Sequence, residues 1–109
     1  MLKFIVILHK RSDMTAPQFR DYLRRIHAPL AKGLPGLRKY VHNYPAADPI
    51  RKPPPWDAVI ELYFDDWSTM EAAWASSQGA ASDADLPLFA DLDRTTWSVV
   101  EEMEIPLAE

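Results

Sequence analysis

The chain reads as one α+β domain, a single antiparallel sheet carrying two helices. Three observations predict it. Four segments alternate apolar and polar residues, or run apolar, over strand lengths. Two segments between them repeat apolar residues at helical spacing. The 109 residues suffice for one hydrophobic core and not for two, so residues 1–109 are expected to form a single domain.

Leu2 to His9 opens the chain as a strand. Leu2, Phe4, Val6 and Leu8 share one face, and Ile5 and Ile7 occupy the other, so both faces are apolar. Such a strand is central in its sheet or lies at an interface. Arg11 to Met14 is a turn. Thr15, with Gln18 three residues on, forms a capping-box pattern, and Pro17 suits a first helical turn. Phe19, Leu23, Ile26 and Leu30 then recur at helical spacing with Tyr22 beside them, while Arg20, Asp21, Arg24 and Arg25 cover the other side. Pro29 disfavours helical geometry at Ala28, so the helix is expected to end or kink there.

Lys32 to Gly36 is a loop, and Leu37 to Tyr44 the second strand. Tyr40, His42 and Tyr44 share one of its faces, Val41 and Asn43 the other. Pro45 to Pro55, with five of the ten prolines, is a stiff surface loop. Trp56 to Asp65 is the third strand: Ala58, Ile60, Leu62 and Phe64 make an apolar face, and Asp57, Val59, Glu61, Tyr63 and Asp65 a mixed one. Ser68 is read as the N-cap of a second helix running to about Ser76. Gln78 to Leu92, alanine-rich and broken by Gly79 and Pro87, reads as a short helix plus loop. Thr95 to Met103 is the last strand.

The order β-α-β-β-α-β belongs to the ferredoxin-like fold, four antiparallel strands with both helices on one face. The remaining face needs a cover. The first strand is apolar on both sides, the last carries Trp97, Val99 and Met103 on one side, and no spare element exists. A symmetric homodimer packing sheet on sheet is the economical solution.

Composition excludes several classes. With no cysteine, disulfides, iron–sulfur clusters and thiolate metal sites are ruled out, and a reducing cytoplasmic setting is expected. The apolar run Phe4–Leu8 is too short for a membrane span, and no small-residue cleavage site follows it. A formal charge of −4 and the acidic third strand argue against nucleic acid. The three histidines lack metal-binding spacing, and no glycine-rich phosphate loop or nucleophile elbow is present. Neither metal nor cofactor is expected.

The chain resembles the EthD family of dimeric α+β barrel proteins. The likeness rests on the opening strand to Lys10-Arg11, the helix end His27-Ala-Pro29-Leu30, the run Leu34-Pro-Gly36-Leu-Arg-Lys-Tyr40-Val and the strand Asp57-Ala-Val-Ile-Glu61-Leu-Tyr-Phe-Asp65. It implies two subunits whose sheets form a barrel, each with a pocket between sheet and helices. It also implies cofactor-free chemistry on small cyclic or aromatic compounds, such as lactone isomerisation, or dehydration and decarboxylation of polyketides.

Three residues are candidates for that chemistry. His27 borders the apolar stripe of its helix, where a neutral imidazole has a pKa suited to moving a proton; the competing reading is a helix-end histidine favoured by the dipole. His42, between Tyr40 and Tyr44, is the expected acid–base assistant, or else a polar residue near a sheet end. Glu61 is the other possible assistant, or the partner of Arg38 or Lys39 in a salt bridge. Asp57 shares its face but lies roughly 13 Å along the strand, too far for a paired-carboxylate site. Tyr22, Tyr40, Asn43, Trp56, Trp67 and Phe89 are candidate substrate contacts, with Trp74 as a further wall or core residue. Of His42 and Asn43, only one should face the pocket. The expected function is therefore a small cofactor-free isomerase or lyase acting by proton transfer. The alternatives are a cofactor-independent oxygenase on a quinol-like substrate and a non-catalytic binding protein.

Overall fold

In the computed structural model, which describes residues 1–108, the strands are β1 (Leu2–Leu8), β2 (Lys39–Asn43), β3 (Ala58–Phe64) and β4 (Thr96–Glu101). All pair antiparallel in the order β2-β3-β1-β4, the ferredoxin-like arrangement. The register aligns Val6 with Ile60 and Trp97, and Phe4 with Leu62 and Val99. Residues directly opposite each other project to the same side. That side is the one the helices cover. The strands end earlier than their apolar patterns suggest; next to β3, for example, Asp57 takes the Lys10 N–H on its carboxylate at 2.8 Å.

The first helix shows how sequence sets position. Thr15 caps it as expected: its hydroxyl accepts from Gln18 N–H, and the Gln18 side chain accepts from Thr15 N–H. Helix α1 (Ala16–Tyr22) does not stop before Pro29 but widens into a π-helical turn, Leu23–His27, and resumes as α2 (Ala28–Ala31). Proline has no N–H to give the carbonyl four residues back and crowds it. The π turn relieves that conflict, with Ala28 N–H donating to Leu23 O five residues back. The wider turn also re-phases the helix. Its buried residues are Phe19, Leu23, His27 and Ala31, four apart, while Ile26 is 50% exposed. The expected stripe through Ile26 and Leu30 is corrected accordingly.

The second helical region starts two residues earlier than expected. Asp66, not Ser68, caps α3 (Trp67–Ala75), accepting from Thr69 N–H at 2.8 Å; a charged acceptor is the stronger cap at the positive helix end. The ambiguous stretch resolves into α4 (Ser77–Asp85), capped by Ser76, and a 3-10 turn, Leu86–Leu88. Gly79 permits the sharp α3–α4 junction: a Cβ there would lie 2.4 Å from Ala73 O.

The core lies between sheet and helices, where Leu8, Phe64, Phe19, Leu23, Met70 and Phe89 are fully buried. Each such side chain contributes roughly 1.5–3 kcal/mol. On the opposite face Ile5, Ile7, Val41 and Val59 are only half-buried. Trp97 and Val99 do not belong to that face, contrary to expectation. They project to the helix side, beyond the helices, and remain 42% and 38% exposed. Pro45 to Pro55 forms neither helix nor strand. Among the described residues no helix is long and apolar enough to cross a membrane.

Candidate active site

A cavity of about 490 Å³ opens between the sheet and the helices, lined by Phe4, Val6, Leu62, Tyr40, Trp74 and Trp97 among others. Its size and apolar walls suit a small organic ligand. His27 reaches this cavity from the π turn, 7% exposed. It is the one imidazole on the wall, placed there by the re-phasing that Pro29 imposes.

The His27 ring is held on its far side. Nδ1 lies 2.9 Å from Asp85 Oδ2, and Tyr22 donates its hydroxyl to Asp85 Oδ1 at 2.7 Å. Phe89 packs against His27 at 4.8 Å between ring centres and stacks on Tyr22 at 5.1 Å. His27 Nε2 has no hydrogen-bond partner among the described residues and is not sealed from solvent. Burial lowers the His27 pKa, and Asp85 opposes that fall. The imidazole is therefore neutral near pH 7 and offers a free nitrogen to the cavity. The Tyr22 pKa is pushed up to about 12 by its bond to Asp85 and by burial.

Tyr40 also lines the cavity, and burial raises its phenol pKa, so it stays a hydrogen-bond donor at any physiological pH. His42 lies beside it, edge to ring at 4.7 Å. Between His42 and Asn43, His42 takes the helix side, as the alternation requires. It is not on the cavity lining, however. Its Nδ1 meets the Tyr44 hydroxyl at 3.0 Å, its Nε2 is buried without a partner, and burial with nearby His27 and Arg24 pushes its pKa down to about 4. His42 is thus a neutral buttress for Tyr40.

Glu61 and Asn43 project from the opposite face and are removed from this site. Glu61 accepts from Lys3 at 2.7 Å and from Asn43 at 2.9 Å, and Lys3 holds its carboxyl below the usual range. The salt-bridge reading of Glu61 holds, with Lys3 of β1 in place of Arg38 or Lys39. Arg38 instead pairs with Asp65. Trp67 is 56% exposed and Trp56 sits under the proline-rich loop, so neither lines the cavity. Phe89 and Tyr22 stand behind His27 and support it. Sequence reasoning missed several participants, among them Trp97, expected on the uncovered face, Asp83 and Leu86 on the cavity lining, and Asp85 behind His27.

Among the described residues no cluster of His, Asp or Glu is arranged to hold a metal ion. A family model described as the EthD domain matches residues 11–93. No curated protein matches the chain significantly. Many solved structures do. An EthD family protein from Bacillus halodurans shares 28% identity at a TM-score of 0.80, over 94% of this chain and 99% of that one. A dimeric ferredoxin-like protein of unknown function from Jannaschia shares 20% identity at 0.68, over 93% and 98%. SnoaB, a cofactor-independent oxygenase from Streptomyces nogalater, shares 11% identity at 0.68, over 98% and 97%; at that identity the likeness is one of fold.

Proposed function

The chain belongs to the EthD family, and from that premise we propose that it is a cofactor-free enzyme moving a proton on a small cyclic or aromatic compound, with His27 as the proton carrier. One observation carries the reading: a buried, neutral imidazole presents a free Nε2 to an apolar cavity of ligand size. A base of depressed pKa in a largely apolar pocket suits removal of a proton next to a carbonyl or from a phenol. Tyr40 donates a hydrogen bond to the oxygen on which negative charge develops. The imidazolium then returns the proton at another position, completing an isomerisation, or delivers it to a departing hydroxide, completing a dehydration. Apart from Asp83, the remaining walls are apolar and aromatic, which favours a flat, weakly polar ligand.

Two copies are proposed to pack through the outer sheet face, whose Ile5, Ile7, Val41 and Val59 remain half-exposed. The dimeric description of the Jannaschia protein supports this.

The test is a panel of lactones, quinols and hydroxylated aromatic ketones, scored for thermal stabilisation, product formation and oxygen uptake. Product should form without added cofactor, and His27→Gln should reduce turnover by about 10²–10⁴-fold while ligand still stabilises the fold. Turnover unchanged in the variant removes His27 from the role. Oxygen uptake with a quinol would instead identify an oxygenase, and stabilisation without any product a binding protein.

A further inference from the structure

We infer that Asp85, with Tyr22 behind it, is a positioning residue that fixes His27 as the Nδ1–H tautomer, so that Nε2 enters the reaction as a base. The inference rests on the proposed role of His27 and adds which nitrogen acts, in which protonation state, and what sets it.

The geometry is one-directional. A carboxylate accepts and cannot donate. Asp85 Oδ2 lies 2.9 Å from His27 Nδ1, so the proton between them belongs to Nδ1. The other oxygen is occupied by the Tyr22 hydroxyl at 2.7 Å, which keeps the carboxylate from rotating away. With Nδ1 protonated, the lone pair of the neutral ring is on Nε2, the nitrogen left without a protein partner. When Nε2 takes a proton from substrate, Asp85 faces the resulting imidazolium and stabilises it.

The location of Asp85 is itself unusual. It ends α4, where the helix dipole opposes a negative charge, and it is 8% exposed. The two donated hydrogen bonds offset both penalties. A carboxylate retained against local preference, and satisfied only through the imidazole and the phenol, marks a site where the chain gives up local stability for geometry. The π turn serves the same end from the other side, because it turns His27 inward toward Asp85.

The tautomer can be read without any substrate. In protein with 15N-labelled histidine at pH 7–8, long-range proton–nitrogen correlation should show His27 with a protonated Nδ1 and an unprotonated Nε2. Free histidine favours the opposite form. Asp85→Asn should replace that single signature by a mixed or Nε2–H pattern. It should also lower kcat on the order of 10²-fold with KM within a few-fold. Tyr22→Phe, which keeps the Asp85–His27 bond, should preserve the tautomer. A wild-type His27 carrying its proton on Nε2 would overturn the inference. So would an Asp85→Asn protein that retains the wild-type tautomer and kcat. Because the spectrum is independent of turnover, failure here is distinguishable from failure of His27 as proton carrier, which the Gln variant tests.

Discussion

At the scale of single residues, chemistry follows from which polar atoms are left free. His27 and His42 are both neutral near pH 7, but only His27 offers a nitrogen to the cavity; His42 is bonded on one side and sealed on the other. Their depressed pKa values give a pH signature. Both folded values lie below the ordinary 6.5, that of His42 at about 4. Below pH 6.5 the unfolded chain therefore takes up protons that the fold refuses, so the histidine contribution is complete above 6.5 and is lost as pH falls toward 4. Carboxylates with lowered pKa, such as Glu61 and Asp66, withdraw their stabilisation only in a more acidic window, below their ordinary values. Denaturant midpoints measured from pH 7.5 to 4.5 should thus decline, and His42→Gln should flatten the decline. An unchanged slope in that variant would mean that His42 is not held neutral by burial. His27 was legible in the sequence as a histidine bordering an apolar stripe. Asp85 was not, because an aspartate in an alanine-rich run announces its solvent-facing norm and not the exception. The partner of Glu61 was not legible either: Lys3 lies on the neighbouring strand but 58 positions away, where local spacing gives no hint.

At the scale of elements, the interrupted first helix is the decisive feature. The sequence correctly signals its start through Thr15 and Gln18, and signals a disturbance through Pro29. It does not say that the disturbance is a π turn, since one proline is compatible with a stop, a kink or a widened turn. A straight α-helix through Phe19 and Leu23 would bury Ile26 and carry His27 toward its edge. Pro29→Ala restores the missing N–H and removes the crowding that favours the π turn. The variant should keep or gain stability, since proline inside a helix costs about 3 kcal/mol, while turnover falls and the His27–Asp85 signature weakens. Full activity with the π turn lost, read from backbone amide hydrogen-bond couplings, would show that the turn does not position His27. Strand order and facing were better expressed than strand ends, because alternation is a property of the whole segment while ends depend on partners such as Asp57 and Lys10. Trp97 and Val99 illustrate the limit: their shared face was evident, but which side it took required the register against β1.

At the scale of the whole molecule, one sheet face carries the core and the cavity, and the other is half-covered. That face combines Ile5, Ile7, Val41 and Val59 with the Lys3–Glu61–Glu102 ion network. Beyond β4 the chain exposes Met103, Ile105 and Leu107 at 81%, 68% and 103%. Apolar residues repeated at every second position of an exposed tail are the pattern of a segment that lies on another surface. A second copy is the occupant consistent with the outer face, and a specific interface of at least about 1,200 Å² in total is expected. Light scattering at tens of micromolar, a range set by ordinary micromolar affinities, should give the mass of two chains. Truncation after Glu102 should weaken the dimer. A monomer at those concentrations would refute the sheet-to-sheet assembly. The fold was thus open to a reading of periodicity and order, and a helix-side pocket to the family resemblance, whereas the supporting residues of the pocket came only with tertiary contacts.

The role of His27 is most directly tested by hydrogen exchange on a bound carbon acid. A cyclic β-diketone or β-keto lactone that stabilises the fold, and so occupies the cavity, is incubated in heavy water with wild-type protein or with His27→Gln, and deuterium uptake next to the carbonyl is followed by mass spectrometry. No knowledge of the natural product is needed, because removal and return of a proton suffice. Wild-type protein should accelerate uptake at least on the order of 10²-fold over the variant. Equal uptake in the two, with the ligand bound to both, would contradict His27 as the proton carrier.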